Sequence, residues 1–139
     1  MADNPITILH RLRASSGPKD TVGLSDDVIE DFCASDADLV QAIHEAGELH
    51  NALLDEFGEE VMSLPEAELI KHLQSDYVNF YSAATVNPYI PIAGRGPWLV
   101  TACGAVLHDN GGYGMLGSGH GPSSIICLLY TSPSPRDRP

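Results

Sequence analysis

Tight-turn residues between positions 94 and 122 constrain the fold of this chain more than any other feature of its sequence. Two short β-type runs, Trp98–Ala102 and Ala105–His108, are separated by Cys103-Gly104. Asn110-Gly111-Gly112 follows them, and asparagine–glycine after an apolar run is a strong hairpin signal, because type I′ turns need positive φ at both central residues. The spacing predicts a small antiparallel β-meander of three runs joined by two tight turns.

Glycine is dense after this turn, which indicates unusual φ angles or a close approach of the backbone to a neighbour. Residues 112–117 read GYGMLG and so match GxGxxG, the dinucleotide-binding pattern. That pattern needs a buried strand before it, a helix after it and an acid about 20 residues further on. A hairpin turn precedes it here and more glycines follow, so we do not predict a dinucleotide site.

The chain before this stretch is predicted to be helical. Asn4 followed by Pro5 predicts a helix over 5–12, since asparagine caps and proline suits the first helical position. Ser25 predicts the start of a brief helix over 26–33. Ser35 with Asp38 resembles a capping box and opens a long helix over 36–57, which Gly58 ends. Ser63 with Glu66 predicts a further helix to about residue 81. The apolar stripe of the long helix follows 3.6-residue periodicity: Leu39, Ile43, Ala46, His50, Leu53 and Phe57.

Charge divides the chain at about residue 86. Residues 1–86 carry seventeen Asp and Glu against four Lys and Arg, whereas residues 87–126 hold only Arg95 and Asp109. We therefore predict an α+β fold with an acidic helical segment over 1–86 and a β-meander over 87–126. An acidic balance argues against nucleic acid and against anionic membrane surfaces as partners, because both favour basic patches.

Several further features bear on the compartment and on the chain's last residues. No apolar stretch is long enough to span a membrane, the first thirteen residues lack the apolar region of a secretory signal, and Cys33 and Cys103 need no disulfide. We therefore expect a cytoplasmic protein.

Residues 127–139, CLLYTSPSPRDRP, resemble a common transposase-type sequencing adapter translated in one frame. We expect them to be foreign to the natural gene and to contribute nothing to folding.

The glycine-rich stretch also resembles the N-terminal region of class III (ornithine-type) pyridoxal-phosphate-dependent aminotransferases. That family carries a β-meander reading roughly G, four residues, D, about ten residues, then GHxxP or GHxHP. Gly104 and Asp109 have this spacing, Gly119-His120-Gly121-Pro122 stands for the GH…P element, and Arg95-Gly96 resembles the pair before the first strand. Gly121 replaces the second histidine of GHxHP, and the interval from Asp109 to Gly119 is about one residue short.

The resemblance implies the N-terminal part of a fold type I enzyme whose large domain is absent from this chain. Such an enzyme transfers an amino group from an amino acid or amine to a 2-oxo acid, as a homodimer with pyridoxal phosphate. The cofactor needs a lysine for its Schiff base, and Lys19 and Lys71 do not sit in a context that resembles the family's catalytic lysine. We therefore expect no catalytic or cofactor-binding residue in this chain and no transamination by it alone.

In the family, the extended segment before the meander and the turn after its aspartate border the substrate pocket near the dimer interface. The resemblance therefore implies substrate contacts at Tyr89, Gly111, Gly112 and Tyr113. Packing roles for both tyrosines stay open. Asp109 and His120 are interpreted as structural, with Asp109 holding its turn by side-chain to backbone hydrogen bonds.

Two other functions are compatible with parts of the sequence, a metal site and a protein-interaction module. His44, Glu45, Glu48 and His50 invite a metal site, but HExxH fails at Glu48 and the two histidines lie on different helix faces, so no metal is predicted. The alternative to an aminotransferase fragment is a non-enzymatic acidic helical module for protein interaction. A lysine after a strand, some 150 or more residues downstream in a longer read of the gene, would favour the enzyme.

Overall fold

Helices form the first part of the chain and a sheet forms the second. The computed structural model describes residues 3–75, 88–110 and 118–122. Within these ranges the strands form one antiparallel sheet in the order β1-β2-β3. This confirms the predicted α+β layout. The elements are α1 (Pro5–Ser15), α2 (Asp26–Cys33), α3 (Ala37–Met62), α4 (Glu66–Leu73), β1 (Pro91–Arg95), β2 (Trp98–Thr101) and β3 (Val106–His108).

Helix α1 begins as predicted and ends later. The Asn4 side chain accepts a hydrogen bond from the Ile6 amide at 2.8 Å. Pro5 occupies the first helical position, where its missing N–H costs no hydrogen bond because that N–H would have no partner within the helix. The helix continues to Ser15 instead of ending at Leu12. Ser15 and Ser16 hydroxyls donate back to the Leu12 carbonyl at 3.0 and 2.7 Å, which satisfies an acceptor of the last turn.

The caps of the next two helices differ from the predicted ones. Ser25 precedes α2 as expected, but its side chain caps no backbone amide and hydrogen-bonds the Asp27 carboxylate, which lowers the pKa of Asp27. At α3 the predicted Ser35 cap is wrong. Asp36 caps the helix, because its Oδ1 accepts from the Asp38 and Leu39 amides at 3.0 and 3.3 Å. A carboxylate suits the positive end of the helix dipole.

Gly58 interrupts α3 at the predicted place without ending it. Its φ of 80° and ψ of 164° break the helical backbone, and helical geometry resumes as far as Met62. Glycine adopts this conformation without the clash that a Cβ would cause. The apolar stripe is confirmed in its first part, with Leu39, Ile43, Ala46 and His50 all buried.

The predicted start and end of α4 are both wrong. The Ser63 hydroxyl donates to the Glu60 carbonyl, and Pro65 occupies the N-cap position. Glu66 is buried, and its carboxylate accepts the amides of Asp20 and Thr21 at 2.7 Å each. This carboxylate therefore fixes the loop between α1 and α2 instead of closing a capping box. The helix ends at Leu73, and residues 76–81 of the predicted helix lie outside the described residues.

The sheet contains the predicted hairpin and a different third strand. β2 pairs with β3 in the register Trp98↔His108 and Val100↔Val106, across the Cys103-Gly104 turn. The third strand was expected after Asn110, where residues 111–117 lie outside the described residues. The structure instead shows β1, residues 91–95, pairing with β2 in the register Gly94↔Leu99 and Arg95↔Trp98. Gly96 turns the chain between β1 and β2 with a φ of 51°.

The larger of two hydrophobic clusters of the described residues joins the first three helices to the sheet. α1, α2 and α3 contribute most of it, and Trp98, Val100 and Val106 complete it from β2 and β3. The boundary drawn at residue 86 lies outside the described residues, but the core on either side of it is shared. No helix of the described residues is long and apolar enough to cross a membrane. The helical members of this core are Ile8, Leu9, Leu12, Ile29, Leu39, Ala42, Ile43 and Ala46.

An arginine ties the first two helices to the sheet. Arg13 of α1 donates through Nε to the Gly104 carbonyl at 2.9 Å and through Nη1 to Oδ1 of Asp26 at 2.5 Å. His10 contacts the other oxygen of the same carboxylate at 2.6 Å. The hydrogen bond from Arg13, and then that from His10, lower the pKa of Asp26. We call Arg13, Asp26 and the Gly104 carbonyl the Arg13 bridge.

Candidate functional site

Gly96 and His120, two of the residues that carry the family resemblance, meet where the β1–β2 turn crosses Ser118–Pro122, which we call the glycine segment. The Gly96 amide donates to the His120 carbonyl at 3.0 Å, and the His120 amide donates to the Gly96 carbonyl at 2.7 Å. This antiparallel bridge holds two backbones together without any side chain between them.

Glycine is required on the glycine segment for two reasons. Gly119 and Gly121 have φ angles of 66° and 55°, which side chains rarely adopt. A Cβ on Gly119 would lie 2.8 Å from the Gly96 carbonyl oxygen, and one on Gly121 would lie 2.8 Å from the Gly94 carbonyl oxygen. The two backbones can approach this closely only because neither residue has a side chain.

Asp109 and His120 form a polar pair beside this crossing. His120 Nε2 lies 3.0 Å from Oδ2 of Asp109, and both side chains are about four-fifths buried. The Asp109 amide donates to the Pro97 carbonyl at 2.7 Å, which joins the end of β3 to the β1–β2 turn. The contact seen for the Asp109 carboxylate is to the His120 side chain. The predicted side-chain to backbone hydrogen bonds involve a turn that lies largely outside the described residues, and they stay a prediction.

A second arginine connects the glycine segment to the long helix. Arg95 donates through Nε and Nη2 to the Glu45 carboxylate of α3, the shortest distance being 2.6 Å. Its Nη1 donates to the Gly121 carbonyl at 3.0 Å. Hydrogen bonds from Arg95 lower the pKa of Glu45, and Glu45 in turn raises the pKa of Arg95. We call Arg95, Glu45 and the Gly121 carbonyl the Arg95 bridge.

Trp98 anchors β2 through its indole. Its Nε1 donates to Oδ2 of Asp36 at 2.8 Å, so one carboxylate both caps α3 and binds the sheet. The indole lies edge-on to Phe32 and His108, with ring centroids 5.0 and 4.8 Å away. The hydrogen bond from Trp98 is the main cause of the lowered pKa of Asp36. Sequence reasoning missed this contact, because nothing local links position 36 to position 98.

The four predicted substrate residues have different outcomes. Tyr89 lies two residues before β1 and is half-buried. Its neighbour Ile90 accepts a hydrogen bond from the Ala102 amide at 2.9 Å, so this part of the connector is held against the sheet. Gly111, Gly112 and Tyr113 lie outside the described residues. Their proximity to Tyr89 therefore stays a prediction.

The histidines and acids once weighed as metal ligands have other contacts. Glu45 binds Arg95, and Glu48 is exposed. His50 is 1% exposed, with Nε2 2.7 Å from the Ser15 hydroxyl and Nδ1 buried without a hydrogen-bond partner. Burial, and then the charge of Arg11, lower the pKa of His50. Among the described residues no group of three or more His, Cys, Asp or Glu is placed to hold a metal ion.

Neither cysteine thiol of the described residues is activated. Cys103 is buried, and burial raises its pKa to about 11. Cys33 is half-buried, and burial raises its pKa as well. Both are free thiols. Lys19 and Lys71 are exposed, Lys19 in the loop before α2 and Lys71 in the last turn of α4.

An open groove of 540 Å³ lies between the end of α2 and the start of α3. Tyr89 is not among the described residues that line it, and neither is any residue of the glycine segment. The groove is thus separate from the cluster that carries the resemblance. Its lining consists of Cys33, Ala34, Ser35, Asp36, Ala37, Val40, Gln41 and His44.

No family model, curated protein or solved structure matches this chain. Function is therefore inferred from the residues of the chain alone.

Proposed function

We propose that this chain is the N-terminal part of a class III pyridoxal-phosphate-dependent aminotransferase, a cytoplasmic homodimer that moves an amino group from an amino acid or amine to a 2-oxo acid. The convergence of Gly96, Asp109 and His120 supports the proposal most strongly. These residues belong to three separate pieces of the family pattern, and they contact one another or adjoining backbone at 2.7 to 3.0 Å. Gly104, the other member of that pattern, lies apart from them, in the β2–β3 turn against Arg13.

The main departure from the family pattern has a physical reason. Gly121 stands where the family's second histidine would be, and its φ of 55° and the nearby Gly94 carbonyl leave no room for a side chain. The backbone contact in this chain therefore requires glycine at 121. The one-residue shortening of the pattern falls within residues 111–117, outside the described residues.

Pyridoxal phosphate would have to be held by residues beyond this chain. A lysine that forms a Schiff base is activated by desolvation or by a neighbouring cation, whereas Lys19 and Lys71 are both exposed. Neither lysine fits the cofactor. This chain's contribution is to the substrate side, through Tyr89, Gly111, Gly112 and Tyr113.

The helices weigh against the alternative of an independent interaction module. Their core includes Trp98, Val100 and Val106 of the sheet, so the acidic segment does not bury its apolar face by itself. Support for the alternative would come from a helical fragment that folds alone.

The direct test uses the longer protein of which we propose this chain to be a part, which we call the parent protein. It should transfer amino groups from amino acids or amines to 2-oxo acids, whereas the present chain with pyridoxal phosphate should show no absorbance band that borohydride fixes at Lys19 or Lys71. In the parent, Tyr113→Phe should cost about 0.5–1.5 kcal/mol in the donor half-reaction if the hydroxyl makes a neutral hydrogen bond, with cofactor affinity nearly unchanged.

Two outcomes would count against this assignment. A parent protein that transfers no amino group from any amino acid or amine donor would refute the enzyme. If Tyr113→Phe and Tyr113→Ala lower stability but leave donor kinetics intact, Tyr113 is a packing residue and the substrate contact is wrong.

A further inference from the structure

We infer that Glu45 and Arg95 are positioning residues for the glycine segment, so that the acidic helical segment is a working part of the substrate side of the enzyme. The substrate part of this inference rests on the proposed function, which assigns substrate contacts to Gly111, Gly112 and Tyr113, a few residues before the glycine segment in the sequence. The contact itself does not, because it is a property of the described residues.

The first step is the donor geometry of Arg95. A guanidinium is a rigid planar fork, so its donors cannot be redirected independently. Nε and Nη2 are used on Glu45 and Nη1 on the Gly121 carbonyl. The position of the Glu45 carboxylate therefore determines where Nη1 points, and Nη1 determines where the Gly121 carbonyl is held.

The second step concerns how the glycine segment is held. It contributes no member to the hydrophobic clusters of the described residues. Its contacts are polar or backbone contacts, among them the Gly96–His120 pair, the Asp109–His120 pair and the bond from Arg95 to Gly121. Of these three, the bond from Arg95 is made by a side chain that also binds a carboxylate of α3. Through this bond, the position of α3 affects the position of the glycine segment.

The third step separates positioning from general stability. α3 is anchored by Leu39, Ile43 and Ala46, which are fully buried. Glu45 lies at the edge of this face and is partly exposed, so removing its charge should leave the helix in place. Loss of Glu45 should loosen the glycine segment while the core stays intact.

The first experiment measures amide hydrogen exchange in the present chain. In Glu45→Gln the amides of Gly96 and His120 should exchange about ten-fold faster, because a charge-assisted contact that supports their pairing is weakened. The amide of Ile43 should be unchanged. Glu48→Gln is the matched control, since it removes the same charge from an exposed position on the same helix. Equal exchange at Gly96 and His120 in the two variants would overturn the positioning role.

The second experiment measures donor kinetics in the parent protein. Glu45→Gln should raise KM for the amino donor several-fold with kcat and cofactor affinity nearly unchanged, and Glu48→Gln should change none of them. Equal KM values in the two variants would overturn the substrate part of the inference while amino transfer itself is still seen. If the parent transfers no amino group, the proposed function falls and takes the substrate part with it. The hydrogen-exchange experiment would still decide whether Glu45 and Arg95 position the glycine segment.

Discussion

The Arg13 bridge and the Arg95 bridge use the same chemistry at two places in the molecule. Each arginine pairs with a carboxylate on a helix and donates to the carbonyl of a glycine with positive φ. Those glycines, Gly104 and Gly121, have φ angles of 72° and 55°. Each bridge thus joins a helix to the backbone of a glycine that lies outside the named helices and strands.

The two bridges differ in what surrounds the glycine. Gly104 is buried in the β2–β3 turn, where a Cβ would lie 2.8 Å from Cγ of Arg13 itself. Gly121 lies on the glycine segment, outside the hydrophobic clusters of the described residues. The same arginine contact therefore holds the core together at one place and sets the position of a polar segment at the other. Pairing chemistry alone does not reveal the role, and the two bridges are distinguished by the burial of the glycine residue, which is complete at Gly104 and partial at Gly121.

The largest difference in stability loss between the two bridges should come from replacing their glycines. Gly104→Ala should lower the free energy of unfolding by about 2–4 kcal/mol, because a side chain at positive φ is strained and its Cβ would displace the Arg13 side chain from a buried site. Gly121→Ala should cost less stability but should speed exchange at the Gly96 amide. Chemical denaturation and hydrogen exchange of both variants check this. Equal losses of stability would mean that the two bridges have the same role.

Replacing the arginines should give a smaller difference in stability loss between the two bridges than replacing the glycines does. Arg13→Met keeps the apolar stem but leaves the buried Gly104 carbonyl without this donor, which should cost about 1–3 kcal/mol. Arg95→Met should change the unfolding midpoint less and the exchange of His120 more. The two denaturation curves are the measurement. A larger loss of stability in Arg95→Met than in Arg13→Met would contradict the comparison.

Sequence reasoning predicts the parts of this fold that local rules control. The Asn4 cap, the first part of the apolar stripe of α3 and the Cys103-Gly104 hairpin each depend on neighbouring residues and are confirmed. β1 was missed because its sequence, PIAGR, has little intrinsic strand preference and becomes a strand by pairing with β2.

The site is less predictable because its contacts join distant parts of the chain. Glu45 and Arg95 are 50 residues apart, and Asp36 and Trp98 are 62 apart. No periodicity relates such pairs. The contacts among Gly96, Asp109 and His120 were likewise not predicted from the sequence. The substrate roles of Gly111, Gly112 and Tyr113 stay predictions.

His50 should give the region near the Arg13 bridge a pH dependence that the Arg95 bridge lacks near neutrality. Its pKa is lowered from the ordinary 6.5 by burial, so the fold favours the neutral ring. The associated stability is present above pH 6.5 and is lost as the pH falls through the lower folded pKa. Denaturation between pH 7.5 and pH 5 should show a loss in the unaltered chain that is much reduced in His50→Leu.

His44→Gln is the control for this measurement, since it removes a half-buried histidine from the same helix. Ser15 keeps the Arg11 and Leu12 carbonyls as acceptors in His50→Leu, so its hydroxyl is not left unpaired. An unchanged pH dependence in His50→Leu would show that other groups cause the loss.

The smallest effect should come from a third arginine, which has a carboxylate partner but no part in either bridge. Arg11 lies 3.4 Å from Asp3, and both side chains are more than half exposed. Exposed pairs contribute little, because water and salt screen their attraction and ordering the side chains costs entropy. Asp3→Asn should therefore change the free energy of unfolding by less than about 0.5 kcal/mol, and added salt should reduce even that. Denaturation at low and high salt is the measurement. A loss comparable to that of Arg13→Met would mean that an arginine–carboxylate pair alone is enough to stabilise this chain, and the glycine carbonyl would no longer explain the strength of the Arg13 bridge.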